Sequence, residues 1–155
     1  MALSREASAP PVRPAAAALS TWLVTDILSR SPAALRASRL SAFAYTQLPE
    51  HHALKAELRP DYLASLARHQ EIKAELVPLV AAWRAAGIEV LLYKGFYLAE
   101  FIYAAPGARF HGDVDLLVRP EQAAAALRLA GELGWGVAFD AEAARRAWAS
   151  EAFVV

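Results

Sequence analysis

Between His111 and Val118 the chain reads His-Gly-Asp-Val-Asp-Leu-Leu-Val, a run with the length and apolar content of a buried strand that nevertheless carries two carboxylates. Successive side chains on a strand alternate between faces, so Asp113 and Asp115 are predicted to point the same way, about 6–7 Å apart, with Val114 and Leu116 turned to the core. Two carboxylates at that spacing repel by roughly 2 kcal/mol at an effective dielectric of about 20. Burial without compensation then raises a carboxyl pKa or weakens the strand. A divalent cation removes the conflict. Mg²⁺ suits it, since it takes one or two carboxylates and completes its shell with phosphate oxygens. The competing reading of the same residues is an exposed edge strand with two solvated aspartates.

A chain of 155 residues is one domain's worth and long enough to bury a real core. Alanine makes up about a quarter of it, which weights the expectation toward helix. Acidic and basic residues balance at 16 each with no dense basic block, so the electrostatic footprint of a nucleic-acid partner is missing. There is no cysteine, hence no disulfide framework and no thiolate ligand or nucleophile. No apolar run approaches the ~20 residues of a membrane span, and no basic-then-apolar leader opens the chain. A soluble protein of the cytoplasm, without a membrane partner, is expected.

Residues 1–14 hold Pro10, Pro11 and Pro14 among Ala and Ser and are read as a disordered tail. Residues 15–86 are read as a helical N-terminal region. Leu19, Trp22, Leu23, Ile27 and Leu28 recur at helical spacing to about Ser29. Ser31 is positioned to cap a second helix with Pro32 in its first turn, running to Pro49. His51 and His52 are adjacent and cannot chelate as an i, i+4 pair does. A third helix is predicted from Pro60 to Gly87, with a face of Leu63, Leu66, Ala67, Gln70, Leu76, Leu79, Val80 and Trp83 and either a kink near Ala74–Pro78 or a division there into two consecutive helices. His69, alone on that helix, is given no role.

Residues 87–155 form the α/β part. Ile88 to Tyr93 is a strand, Lys94-Gly95 a turn, Phe96 to Tyr103 a two-turn helix, and Ala105-Pro106-Gly107 a reversal before the aspartate strand. A glycine turn between strand and helix leaves free N–H groups at the strand's carboxyl end, an anion site with Lys94 beside it. Equally, Gly95 is simply the positive-φ residue of a tight turn. A helix follows from Pro120 to about Leu133, then a short strand at 134–139, a cap at Asp140 and a last helix to Glu151. Ala152–Val155 reads as the start of another strand, so the core is expected to be incomplete.

The ordered set Gly87 to Gly95, then Pro106-Gly107-Ala108-Arg109, then Gly112-Asp113-Val114-Asp115-Leu116-Leu117-Val118, resembles the uncharacterised nucleotidyltransferase family related to the polymerase-β superfamily. The resemblance covers about residues 65–155. It implies an α/β (α+β) fold, a helical N-terminal region before a small mixed sheet, with strands 88–93 and 112–118 as neighbours. It further implies that Asp113 and Asp115 are the catalytic, metal-binding pair for Mg²⁺ or Mn²⁺, and that Lys94, Gly95 and Arg109 bind the phosphates of a nucleoside triphosphate. The activity implied is transfer of a nucleoside monophosphate to an acceptor hydroxyl on a small molecule or protein. Superfamily members add a third carboxylate from a later strand, and none is placed here: Glu121 and Glu132 fall on a helix, Asp140 is a cap, and Glu142 and Glu151 lie in the last helix. Three alternatives stay open: a non-catalytic nucleotide binder, a protein-interaction module, and a hydrolase using the same pair.

Overall fold

The computed structural model describes residues 24–136. Helical residues 24–28 precede α1 (Pro32–Ala37), α2 (Ser41–Gln47), the long helix α3 (Ala53–Ala85), strand β1 (Val90–Tyr93) and a short helix α4 (Lys94–Tyr97) that widens into a π-helical turn (Leu98–Ile102). Strand β2 (Asp115–Val118) and helix α5 (Ala123–Glu132) complete it, with 3-10 turns at Pro106–Ala108 and Pro120–Gln122. The chain has the α/β class expected of it, helices first and a small sheet after. The predicted tail 1–14, the first helix before residue 24, and the cap and helix predicted from Asp140 onward lie outside the described residues. The second half of the strand predicted at 134–139 lies outside them too, and its described half, residues 134–136, is a turn and irregular chain.

Ser31 caps α1 as expected, its Oγ accepting the Ala34 N–H at 3.3 Å, with Pro32 at the first position. The helix predicted to continue to Pro49 instead breaks at Arg39, whose φ is 57°. Arg39 N–H donates to the Arg36 carbonyl and Leu40 N–H to the Leu35 carbonyl, the pairing of a Schellman ending. The same pairing ends α3 at Gly87 and α5 at Gly134, where a glycine announces it. At Arg39 nothing in the sequence does.

The long helix starts at Ala53 rather than Pro60, capped by His52, whose Nδ1 accepts the Leu54 N–H at 3.2 Å. It passes both Pro60 and Pro78 without interruption. Each proline removes one hydrogen bond to the carbonyl four residues back. Here Pro60, Pro78, Ala56 and Ala74 are all exposed, so water can satisfy the freed carbonyls. The buried face is Leu58, Ser65, His69, Ile72, Leu76, Leu79 and Trp83, a three-and-four spacing. From Leu76 on it agrees with the predicted face. Before that it is rotated, leaving Leu63 and Gln70 outside, because the true face runs through two polar residues.

Three apolar clusters line this face. Leu58 closes one with Ile27, Leu35, Ala44 and Leu48; Ile72 and Leu76 meet Phe96 in a second; Leu79 and Trp83 meet Ile88, Ala126 and Ala130 in a third. The small side chains of α5 permit a close approach, and Trp83 Nε1–H donates to the Ala126 carbonyl at 3.0 Å. β1 and β2 pair antiparallel with Val90 opposite Val118, Leu92 opposite Leu116 and Tyr93 opposite Asp115. Val90, Leu92, Leu116 and Val118 pack toward the core, and Leu91 faces water. Where β1 begins, the Gln122 amide accepts the Glu89 N–H and donates to the Gly87 carbonyl, and Arg119 pairs with Glu89 at 2.7 Å.

Gly107 lies flat against α3: a Cβ there would stand 2.8 Å from Leu66 Cβ and Tyr62 Cε2, and 3.2 Å from Leu66 Cα. A helix backbone cannot give way as a side-chain tip can. Gly107→Ala is therefore expected to lower stability by about 1–3 kcal/mol in denaturant unfolding, although alanine ordinarily stiffens the unfolded chain in its favour. An unchanged midpoint would contradict this packing.

Candidate functional site

The pairing of Tyr93 with Asp115 determines what meets what. In an antiparallel pair the end of β1, from which Lys94 and Gly95 follow, lies beside the start of β2, where the aspartate run enters the sheet. Lys94 takes φ 53°, a left-handed conformation that costs a residue with a Cβ about 1–2 kcal/mol. Its Nζ donates to Asp115 Oδ1 at 3.0 Å and stands 4.9 Å from the centre of the Tyr93 ring. The Asp115 side chain is 8% exposed and that of Lys94 57%. The hydrogen bond that Lys94 donates to Asp115 raises the Lys94 pKa, against a smaller opposing effect of burial. With one partner open to water the pair is well screened, and its consequence is placement more than stability.

The strand begins at Asp115, so Asp113 sits in the exposed bend before it. The two aspartates therefore do not share a strand face as predicted: one is buried and paired, the other faces water. Val114 and Leu116 do pack inward. Gly95 is also not the positive-φ residue of the turn, since Lys94 is. What Gly95 requires is space, because a Cβ there would stand 2.9 Å from His111 Cβ. Arg109 is half-buried, and its Nε is enclosed with no hydrogen-bond partner among the described residues. Lys94 and Asp115 are thus in contact, Gly95 packs on the residue two before Asp113, and Arg109 makes none of these contacts.

A family model described as an uncharacterised nucleotidyltransferase matches residues 30–151. The chain belongs to that family. No curated protein and no solved structure matches it. The match begins near α1, well ahead of residue 65, so the helical N-terminal region is part of what this nucleotidyltransferase family shares. Among the described residues no helix is long and apolar enough to cross a membrane.

Behind the aspartate bend of this nucleotidyltransferase-like chain lies a cluster the sequence did not disclose. His69, without exposed surface, has Nε2 2.9 Å from Glu100 Oε2 and Nδ1 3.0 Å from His111 Nε2, and Lys73 pairs with Glu100 at 2.6 Å. His111 Nδ1 lies 3.3 Å from the Asp113 carbonyl. Burial holds the His111 pKa below its usual value; His69 and Arg109 reinforce this while Asp113 opposes it. Glu100, an acceptor, fixes a proton on His69 Nε2, and one proton is shared between His69 Nδ1 and His111 Nε2, its position set by the tautomers of the two rings. The contact of His111 Nδ1 with the Asp113 carbonyl is the longest of the three, and a proton on Nδ1 makes it a hydrogen bond. The signal was unreadable along the chain because His69, Glu100 and His111 stand 31 and 42 residues apart.

Oxygen donors such as Asp113 and Asp115 are those a hard cation takes. Among the described residues no three or more His, Asp or Glu side chains are grouped to hold a metal.

Burial acts to raise the Glu100 pKa, but hydrogen bonds from Lys73 and His69 outweigh it and leave it below the ordinary 4.5. A carboxyl depressed in the folded state contributes stability that is present above its unfolded pKa and lost as pH falls through the folded one. Wild type should thus lose stability below about pH 4.5, and Glu100→Gln should lose less over the same range. Melting temperatures of both proteins from pH 7 downward test this; parallel curves would show that Glu100 is not responsible.

Proposed function

We propose that this chain carries out metal-dependent nucleotidyl transfer, with Asp113 and Asp115 holding Mg²⁺ or Mn²⁺ and Lys94, Gly95 and Arg109 receiving the phosphates of a nucleoside triphosphate. The observation that carries the reading is the ion pair of Lys94 with Asp115, formed where the glycine turn meets the aspartate run. An ammonium already neutralises the buried carboxylate at the position a metal would take, so the pair fits a cation there. Two carboxylates suffice for Mg²⁺ when substrate phosphates complete the shell. When bound, the metal supplies Lewis-acid neutralisation of charge on the phosphate oxygens.

The chain's own residues do the rest. Asp115 is fixed by the sheet, and Asp113 in its open bend can close on a ligand that arrives from solvent. Lys94, displaced from Asp115, is free to swing onto the phosphates, where an ammonium is a compact donor of charge. Arg109, whose enclosed Nε has no hydrogen-bond partner among the described residues, offers a second cation. In the transfer the acceptor oxygen bonds to the α-phosphorus, the α–β bridge breaks with departure of pyrophosphate, and the hydroxyl proton leaves to a base. The acceptor is a hydroxyl on a small molecule or protein. The alternative is a non-catalytic nucleotide binder, favoured by the absence of a third carboxylate grouped with the pair among the described residues.

Calorimetry with Mn²⁺ and ATP or GTP decides the first step: each ligand should tighten the other, and Asp115→Asn should abolish the coupling. Equal triphosphate affinity with and without metal would remove the reading. Binding without pyrophosphate release would leave the non-catalytic alternative.

Lys94→Met separates the two tasks of the lysine. It should bind Mn²⁺ alone more tightly than wild type, a competitor having gone, yet bind ATP with Mn²⁺ about tenfold more weakly through loss of a charge-assisted contact. Titrations of both proteins read the two signs, and an effect of the same sign in both would exclude the exchange of partners.

A further inference from the structure

We propose that His69 is a positioning residue for the aspartate and lysine site, acting through His111; the proposal rests on the nucleotidyltransferase reading. His69 lies mid-helix on the rigid α3 with both ring nitrogens engaged, at 2.9 Å by Glu100 and at 3.0 Å by His111. Its ring stacks on Phe96 with centroids 4.9 Å apart and planes within 12°. Rotating or flipping the ring would break both nitrogen contacts.

His111 is the residue held by this arrangement, and it touches both the glycine turn and the aspartate bend. Its Cβ fills the space that Gly95 leaves, next to Lys94. Its ring meets Phe96 edge to face at 5.6 Å, and its Nδ1 is turned to the Asp113 carbonyl. One residue on, Arg68 of α3 donates to the Gly112 carbonyl at 3.1 Å. Two adjacent residues of one helix thus grip two adjacent residues of the aspartate bend. Beyond the β1–β2 pairing and the Lys94–Asp115 contact, the glycine turn and the bend are tied to each other through this one side chain.

Stability alone does not call for such a device. A buried polar network must replace the hydration its members lose, and apolar residues of similar volume often serve stability as well. What two imidazoles with engaged nitrogens add is direction, because each contact holds only for one ring orientation. Since both His69 nitrogens are engaged, it is not itself available to a ligand.

The test uses the full chain with His69→Leu, His69→Gln and, as control, Leu58→Ala. Leu58 is fully buried in the cluster with Leu35 and Ala44, away from the site, so its truncation lowers stability without touching the bend. Gln keeps polarity at position 69 but cannot reach Glu100 and His111 in the two ring directions, and it decides the matter if the Leu variant does not fold. Below each protein's transition, calorimetry gives the affinity for Mn²⁺ with ATP, and hydrogen exchange gives the protection of amides 111–116. Both His69 variants should bind roughly tenfold or more weakly and exchange faster at 111–116. Leu58→Ala should match wild type in both. Wild-type affinity in the His69 variants, or an equal loss in the control, overturns the proposal. If wild type itself binds no Mn²⁺ with ATP, the nucleotidyltransferase reading fails and the binding half of the proposal falls with it. The exchange half is then judged separately: faster exchange at 111–116 confined to the His69 variants upholds the tether, and unchanged exchange refutes it.

Discussion

Every apolar cluster of the described chain is closed by the same face of α3, from Leu58 against the first helices to Trp83 against α5. The helix has little intrinsic right to be continuous, with prolines at 60 and 78. Its continuity follows from tertiary burial, since the residues between and beyond the prolines each remove apolar surface from water on one side while both prolines look outward. An interrupted helix would turn part of that face away from its partners. The sheet and α5 attach to its last turns and the aspartate bend to its middle, so the site inherits its position from this packing.

The departures from easy stability gather at one end of the sheet. Lys94 is left-handed without being glycine, two histidines are buried, and Asp115 is buried with an exposed partner. Glu100 lies in a π-helical turn, closed by the Tyr103 N–H on the Leu98 carbonyl, and that wider turn carries the carboxylate that meets His69. Local rules broken together in one place mark a candidate site, even though Arg39 and the two prolines of α3 break such rules elsewhere.

What the sequence disclosed was written in neighbouring residues. Ser31-Pro32, Gly87, the β-branched and apolar run before Lys94, and the turn at Ala105-Pro106-Gly107 are short signals with short-range causes. So is the alternation that turns Val114 and Leu116 inward. What it concealed depends on contacts distant in sequence or on conformations without a marker residue. Arg39 ends a helix in a shape usually announced by glycine. The start at Ala53 was obscured by Pro60, an apparent helix opener that in fact lies inside. Ser65 and His69 hid the true buried face because polar residues in a stripe read as its edge. The strand was expected to include Asp113 because nothing in the sequence marks the bend that precedes Asp115. The Lys94 and Asp115 contact was implied only once the two strands were known to be antiparallel neighbours.

The side chain of Gln122 has a further meaning. By accepting from Glu89 N–H and donating to the Gly87 carbonyl, its amide imitates a backbone unit laid beside β1, and it does so from the turn that β2 feeds. Side chains on a strand alternate, so a slip of one residue between β1 and β2 would bring Asp115 to the apolar side and Leu116 into water. Gln122 and the Glu89 to Arg119 pair are out of step in any such slipped arrangement. Gln122 thus acts as the index mark of the ladder, choosing which of two chemically opposite surfaces the strand pair presents.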